Sequence, residues 1–246
     1  LLNQSQETDI KQQEVSKRQE RAHRILDAAA TLILRWGYQK TTLDDISREA
    51  GVAKGTIYLH WKTREELFAA LIKREKVETA VDLQQRISAD PAGSTLRGTL
   101  KHSALALMKR PLLKAVLLND MNILGKLAQH DHNSIAYKEK ITGFTTYLEF
   151  LREHELIRTD LSLRAQAYIY SAIFMGFFLI NPMMPDEFQL SDEEIADLMA
   201  ETAHRTLEAS RPVAAAELQT LSNTFGSYFD KMASNAHNQF QAELEE

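Results

Sequence analysis

Between Thr41 and Leu67 the apolar positions fall into two short stripes of helical period, separated by a glycine. Leu43, Ile46 and Ala50 share one face of a predicted helix. Thr42 stands just before that run and Asp45 three residues after Thr42, a capping box with aspartate in place of the usual glutamate. Gly51 ends the helix, because glycine takes the left-handed conformation at that position without steric cost. Val52 is placed to fill the gap between the helices. The spacing predicts a second helix over 54–61, with Ile57 and Trp61 pointing inward at i and i+4. Thr63 with Glu66 forms another capping box and opens a third helix.

The same periodicity organises the rest. Ile25, Ala29, Leu32, Ile33 and Trp36 form the inner stripe of a helix over 19–36, which Gly37 ends. Residues 1–18 are polar without period and read as a loose arm carrying Lys11, Lys17 and Arg18. The helix opened by Thr63 continues to about residue 86, with Leu67, Leu71, Val77 and Val81 on one side. Pro91 to Gly93 break the chain, and Ser94 is positioned to cap a helix over 95–109. Helices are predicted over 112–129 and 135–154, the latter with Phe144, Leu148 and Leu151 inward. Residues 161–180 are apolar almost all round, the pattern of a helix buried on both flanks. Ser191 and Glu194 make a further capping box, opening a helix over 191–209. Pro212 starts a last helix, in which Leu218, Leu221, Phe225, Tyr228 and Met232 recur at spacings of three and four. That seam must lie against its own bundle or against a second copy of the chain. The expected fold is all-α. It comprises an arm (1–18), a three-helix head (19–66), a helical bundle (67–211) and an additional C-terminal helix (212–246).

A helix, a glycine turn and a second short helix is the helix-turn-helix plan, whose second helix enters the DNA major groove. The outward residues of 54–62 suit that task. Lys54 and Lys62 are cations, Thr56 and Tyr58 carry hydroxyls, His60 offers a ring nitrogen, and Gly55 leaves the backbone bare. The plainer alternative is a helical hairpin with a solvated polar face. Net charge, at −5, runs against polyanion binding, but its distribution does not. Residues 1–64 hold 11 basic and 8 acidic side chains, and the remainder 18 and 26. Positive charge is thus concentrated where the motif lies.

Trp36-Gly37-Tyr38, Thr41-Thr42, Ile46, Ala50-Gly51-Val52, Lys54-Gly55-Thr56-Ile57-Tyr58, His60-Trp61-Lys62 and Leu67 together resemble the signature of the TetR family of transcriptional regulators. The match runs continuously over about residues 20–70. One departure is Ala53, where the family often has a serine as helix cap. The resemblance implies a homodimeric DNA-binding regulator, most simply a repressor of a palindromic operator released by a small apolar or aromatic effector. It implies Lys54, Gly55, Thr56, Tyr58 and His60 at the groove, Thr42, Lys62 and Arg64 at phosphates, and Thr41 among the DNA-binding residues. It also implies an effector among the C-terminal helices, for which His102, Met121, Phe144, Tyr147, Phe174 and Phe178 are the candidates. Those side chains bring apolar surface and a few polar handles to helices expected to converge, although plain core packing uses the same residues. The alternative is a helical protein–protein interaction module that keeps the fold without regulated DNA binding. Lys54, Tyr58 and Lys62 on one exposed face weigh against it.

Composition removes several other classes. With no cysteine there are no disulfides, thiolate metal sites or cysteine nucleophiles, which suits a cytoplasmic protein. The nucleophile elbow, phosphate loop and dinucleotide fingerprint of common enzymes are missing, so no catalytic residues or cofactors are expected. His130-Asp131-His132 lacks a third ligand and reads as a surface loop rather than a metal site. No membrane span is expected: the most apolar run, 172–180, is short and lies mid-chain. The first 14 residues lack the apolar core of a signal peptide.

Overall fold

The computed structural model describes residues 4–124 and 135–245, and is mainly helical, with no strand among the described residues. Two compact units emerge. The first comprises residues 1–78, 111–128 and 233–246, and the second residues 79–110 and 129–232.

The first unit is the head. Its helices are α1 (Gln4–Trp36), α2 (Leu43–Glu49), α3 (Lys54–Tyr58) and the first part of α4 (Arg64–Ala89). Ile25, Leu26, Ala29, Leu32 and Ile33 of α1 pack with Ile46, Ile57, Trp61, Leu67 and Leu71 into one buried core. Two expectations change here. The helix α1 extends back to Gln4, through a stretch of glutamine, glutamate and lysine with no glycine or proline to stop it. Trp36 leaves the inner stripe: it is 41% exposed at the end of the helix, with the Arg35 guanidinium 5.8 Å from its ring.

The head is also larger than residues 19–66. The predicted helix over 112–129 is α6 (Pro111–Leu117) followed by α7 (Met121–Leu124). Asn119 interrupts it in the left-handed conformation (φ 56°), which asparagine tolerates better than most residues. Leu112 and Leu124 of these short helices join the head core. So do Phe240 and Leu244 from the end of α12 (Ser227–Glu245).

The second unit is built on α5 (Leu96–Met108), α8 (Ile135–Glu153), α9 (Leu163–Ile180), α10 (Asp192–Leu207) and α11 (Ala215–Leu221). Small residues let α5 and α10 pack closely: Ala104 and Ala106 on one, Ala196 and Ala203 on the other, are all buried. The expected capping box at Ser191 forms, with Oγ accepting from Glu194 N–H and the Glu194 carboxylate from Ser191 N–H. At α5 the cap is Thr95, whose hydroxyl accepts from Gly98 N–H, while Ser94 is buried. The last helix is broken after Leu221 by one π-helical turn, Ser222–Gly226. Leu221 and Phe225 of the predicted seam are buried within this chain, Phe225 edge-on to Tyr147 and Phe150 at 4.9 and 4.5 Å. Arg211 fixes the entry to α11, donating to both carboxylate oxygens of Glu217 and to the carbonyls of His154 and Glu155. That guanidinium holds the Glu217 carboxyl down at about 2.

Helix α9 corrects two expectations. Only Gln166, Ile173 and Phe178 are buried on it, while Tyr168, Leu179 and Ile180 are exposed. The segment Leu163–Met183 is also long and apolar enough to cross a membrane, with a mean hydropathy of 1.4. The uninterrupted run is short, but the helix around it adds only one charged residue, Arg164.

Candidate nucleic-acid interface

Local chemistry sets the motif. The Thr42 hydroxyl accepts from Asp45 N–H at 3.2 Å, and the Asp45 carboxylate accepts from Thr42 N–H at 3.2 Å and from its hydroxyl at 2.6 Å. These bonds from Thr42, aided by Arg48, hold the Asp45 carboxyl below its usual range. Gly51 takes φ 64° at the turn. Ala53 opens α3 without a side-chain cap. At α4, Thr63 accepts from Glu66 N–H, and the Glu66 carboxylate reaches back one residue further than expected, to Lys62 N–H at 2.7 Å.

Helix α3 is shorter than the periodicity suggested. It ends at Tyr58, and the Ile57 carbonyl then accepts from both His60 and Trp61 N–H. Ile57 is fully buried and Trp61 nearly so, anchoring the helix from below. Its outer face presents Lys54, Gly55, Tyr58 and Leu59, the last two 41% and 65% exposed. A Cβ added at Gly55 would meet nothing within 4 Å, so nothing inside the fold demands glycine there.

The remaining candidates divide. Lys54 is paired with Asp44 of α2 at 2.8 Å, which raises its pKa. Lys62 is exposed, its ammonium 3.3 Å from the Tyr58 carbonyl at the end of α3. Thr56 is half-buried and Thr42 exposed. His60 is half-buried, and burial first, then Arg18 and Arg21, lower its pKa to about 4, so its imidazole is neutral at pH 7. Thr41 leaves the set: it is 1% exposed and its hydroxyl is spent on the Gly37 carbonyl. Arg64 is turned inward, donating to the carbonyls of Thr41 (3.2 Å) and Tyr38 (3.5 Å) with its guanidinium 4.0 Å from the Tyr38 ring centre. Sequence reasoning missed this Tyr38–Arg64 stack, although Tyr38 was already in the motif and an arginine at the start of α4 was visible.

The effector candidates His102, Phe144, Tyr147, Phe174 and Phe178 all lie in the second unit. Tyr147 is buried, donating to the Ser94 carbonyl at 2.9 Å and lying 3.0 Å from the Thr99 hydroxyl; burial pushes its phenol well up. Phe144 lies tilted against Tyr170 at 4.7 Å, and Phe174 meets Phe178 edge-on at 5.2 Å. His102 is buried, its Nε2 2.8 Å from Asp90 Oδ2 and its Nδ1 without a hydrogen-bond partner. Met121 belongs to the other unit, and its side chain lies outside the described ones, as do His130 and His132. Tyr170 and Phe225 join these aromatics unannounced. Tyr170 was legible as the position four before Phe174, and Phe225 as part of the C-terminal seam.

A head with this turn, capping and short exposed helix defines a helix-turn-helix DNA-binding regulator. Residues 25–71 match the model of the bacterial regulatory proteins of the tetR family. It is 27% identical over 183 residues to the HTH-type transcriptional regulator AcrR of Shigella flexneri, covering 71% of this chain and 84% of that one. The fatty acid metabolism regulator protein of Bacillus subtilis is 41% identical over 51 residues, 21% of this chain and 26% of that protein. Among solved structures, NalD of Pseudomonas aeruginosa, the secondary repressor of the MexAB-OprM multidrug efflux pump, superposes with a TM-score of 0.52. The superposition covers 80% of this chain and 100% of NalD at 20% identity, a likeness of fold. The similar proteins are transcriptional regulators.

Proposed function

We propose that this protein is a cytoplasmic, homodimeric repressor that reads a palindromic operator with α3 and releases it on binding a small apolar or aromatic effector. The observation that carries the DNA reading is the outer face of α3. A tyrosine and a leucine stand exposed there beside a lysine, over a glycine that no internal contact requires. A bare backbone with flanking hydroxyl and apolar side chains suits close approach to base edges and thymine methyls. In this reading Lys54, Gly55, Thr56 and Tyr58 meet the groove, with the neutral His60 ring at its edge. Thr42 and Lys62 hold phosphates, which position the head without reading sequence. Lys54 must exchange Asp44 for DNA, so its net gain is smaller than that of an unpaired lysine.

The second copy is supported by the apolar face of α9 and the residues after it, including Tyr168, Leu179, Ile180, Met183 and Phe188. An uncovered patch of this kind marks an interface. The aromatics around Tyr147 and the unpartnered His102 Nδ1 support an effector that is largely apolar with one polar atom. For release, that effector must favour a spacing of the two heads that does not match successive grooves, with α4 carrying the change.

The test is a duplex selected from random sequence by the wild-type chain. It should bear two half-sites about one helical turn apart or a multiple of that, and carry two chains. Tyr58→Ala should weaken binding at unchanged melting temperature, and Lys62→Ala should lower the salt slope by about one unit. Full affinity and slope in both variants would refute the assignment of α3 to the groove.

A further inference from the structure

The end of α12 is built into the head. Phe240 is 2% exposed and Leu244 4%, both within the core that α1, α3 and α4 share. Phe240 meets the His23 ring of α1 edge-on at 6.2 Å, and Glu243 pairs with Lys73 of α4. The decisive contact is polar. Arg18 of α1 donates from Nε to the Leu244 carbonyl at 3.2 Å and from Nη2 to the Leu59 carbonyl at 3.3 Å. Leu244 lies in the last turn of α12, and Leu59 is the residue that closes α3. Carbonyls at a helix end lack partners within the helix, and both ends carry partial negative charge. One guanidinium therefore satisfies two helix C-termini at once, from the planar fork that only arginine presents.

We propose that Arg18 is a positioning residue for α3, and that the last turns of α12 hold it in place, so that operator affinity depends on a helix remote from the groove. This rests on the reading of α3 as the groove helix. From Ala233 onward the chain carries glutamates and no lysine or arginine, so this segment repels phosphate and acts only through the head. Helix α3 is five residues long with no side-chain cap at its start, too short to hold its orientation alone. Ile57 fixes it from beneath; Arg18 fixes its far end.

The test uses the full chain and the selected duplex described above. Arg18→Gln and Phe240→Ala should each weaken binding about tenfold while leaving the salt slope unchanged. Amide exchange over residues 54–61 should speed up in both. Phe240→Leu, which keeps the apolar volume, should restore affinity and so exclude a mere folding defect. Arg18→Lys should not rescue, since an ammonium cannot span both carbonyls. Rescue by Arg18→Lys, with a slope about one unit lower in Arg18→Gln, would overturn the proposal in favour of a direct phosphate contact. Wild-type affinity and exchange in Arg18→Gln and Phe240→Ala would also overturn it, provided Tyr58→Ala still weakens binding. Loss of the Tyr58→Ala effect would instead strike the groove reading itself.

Discussion

Replacing Arg64 by alanine separates two roles that one arginine at the start of α4 can play. By its position in the motif it is a phosphate contact. By its geometry it is a brace, stacked 4.0 Å from the Tyr38 ring centre and donating to the Thr41 and Tyr38 carbonyls. A guanidinium over a tyrosine at a half-exposed site contributes about 0.5–1 kcal/mol. The 3.2 Å bond to Thr41 adds about 1 kcal/mol, and the 3.5 Å contact little, because it lies at the limit of hydrogen-bond distance. The sum is about 1–2 kcal/mol, which for a chain of this size lowers the melting temperature by about 2–8 °C. Operator binding should weaken modestly through loosening of the Tyr38–Thr41 turn, at an unchanged salt slope. The assay is a thermal melt followed by circular dichroism, paired with duplex titrations at several salt concentrations. A melting curve that superposes on the wild type, together with a slope about one unit lower, would refute the brace and return Arg64 to the phosphates.

Two further outcomes follow from the buried polar groups. His60 is held neutral with a pKa of about 4, against an ordinary value of 6.5, chiefly by burial. Below pH 6.5 the unfolded chain takes up a proton that the folded head refuses. Stability should therefore fall as pH drops from 6.5 to 4 by about 1–2 kcal/mol after solvent screening, and His60→Gln should flatten that slope in pH-dependent melts. An equally steep slope in His60→Gln would assign the effect elsewhere. Tyr147→Phe removes the hydroxyl that joins α8 to the Ser94 carbonyl and Thr99, and should cost about 1–2 kcal/mol in denaturant titration. An unchanged midpoint would show that this hydroxyl does not hold the turn before α5.

The fold was legible wherever its determinants act within one turn of helix. Thr42 with Asp45, Gly51, and Ser191 with Glu194 all formed as their spacing implied. The end of α3 was not, because Trp61 keeps the apolar period after the helix has stopped. A tight turn at the Ile57 carbonyl buries it from the next position in the chain. Nor was the full extent of the head. The segment of α6 and α7 and the end of α12 read as ordinary amphipathic helix, and period alone does not say which surface such a helix covers. The bond from Arg18 to Leu244 spans 226 positions, and neither residue marks the other in sequence. At the groove, residue types pointed to Arg64 as a phosphate contact and to Thr41 as a DNA contact, yet their donors are turned inward by neighbours at Gly37 and Tyr38. Composition shows which donors exist, not where they are spent.

Helix α9 carries the same lesson from the opposite side. Its apolar composition called for burial on both flanks, and the single chain supplies one. The demand remains, and two surroundings satisfy it: a lipid bilayer or a second copy of the chain. Gln166 weighs against the bilayer. It is fully buried, accepting from Arg152 at 3.0 Å and donating to the Arg158 carbonyl, while Arg152 also reaches the Leu161 and Thr159 carbonyls. This charged network wraps the first turns of α9, and Arg164 stands exposed within them. In a bilayer it would lie within the span, where a charged side chain costs several kcal/mol. Against a second copy it stays on the flank already covered by α8, and only Tyr168, Leu179, Ile180 and their neighbours change surroundings. The apolar surplus of α9 therefore fits the second copy proposed above better than a bilayer.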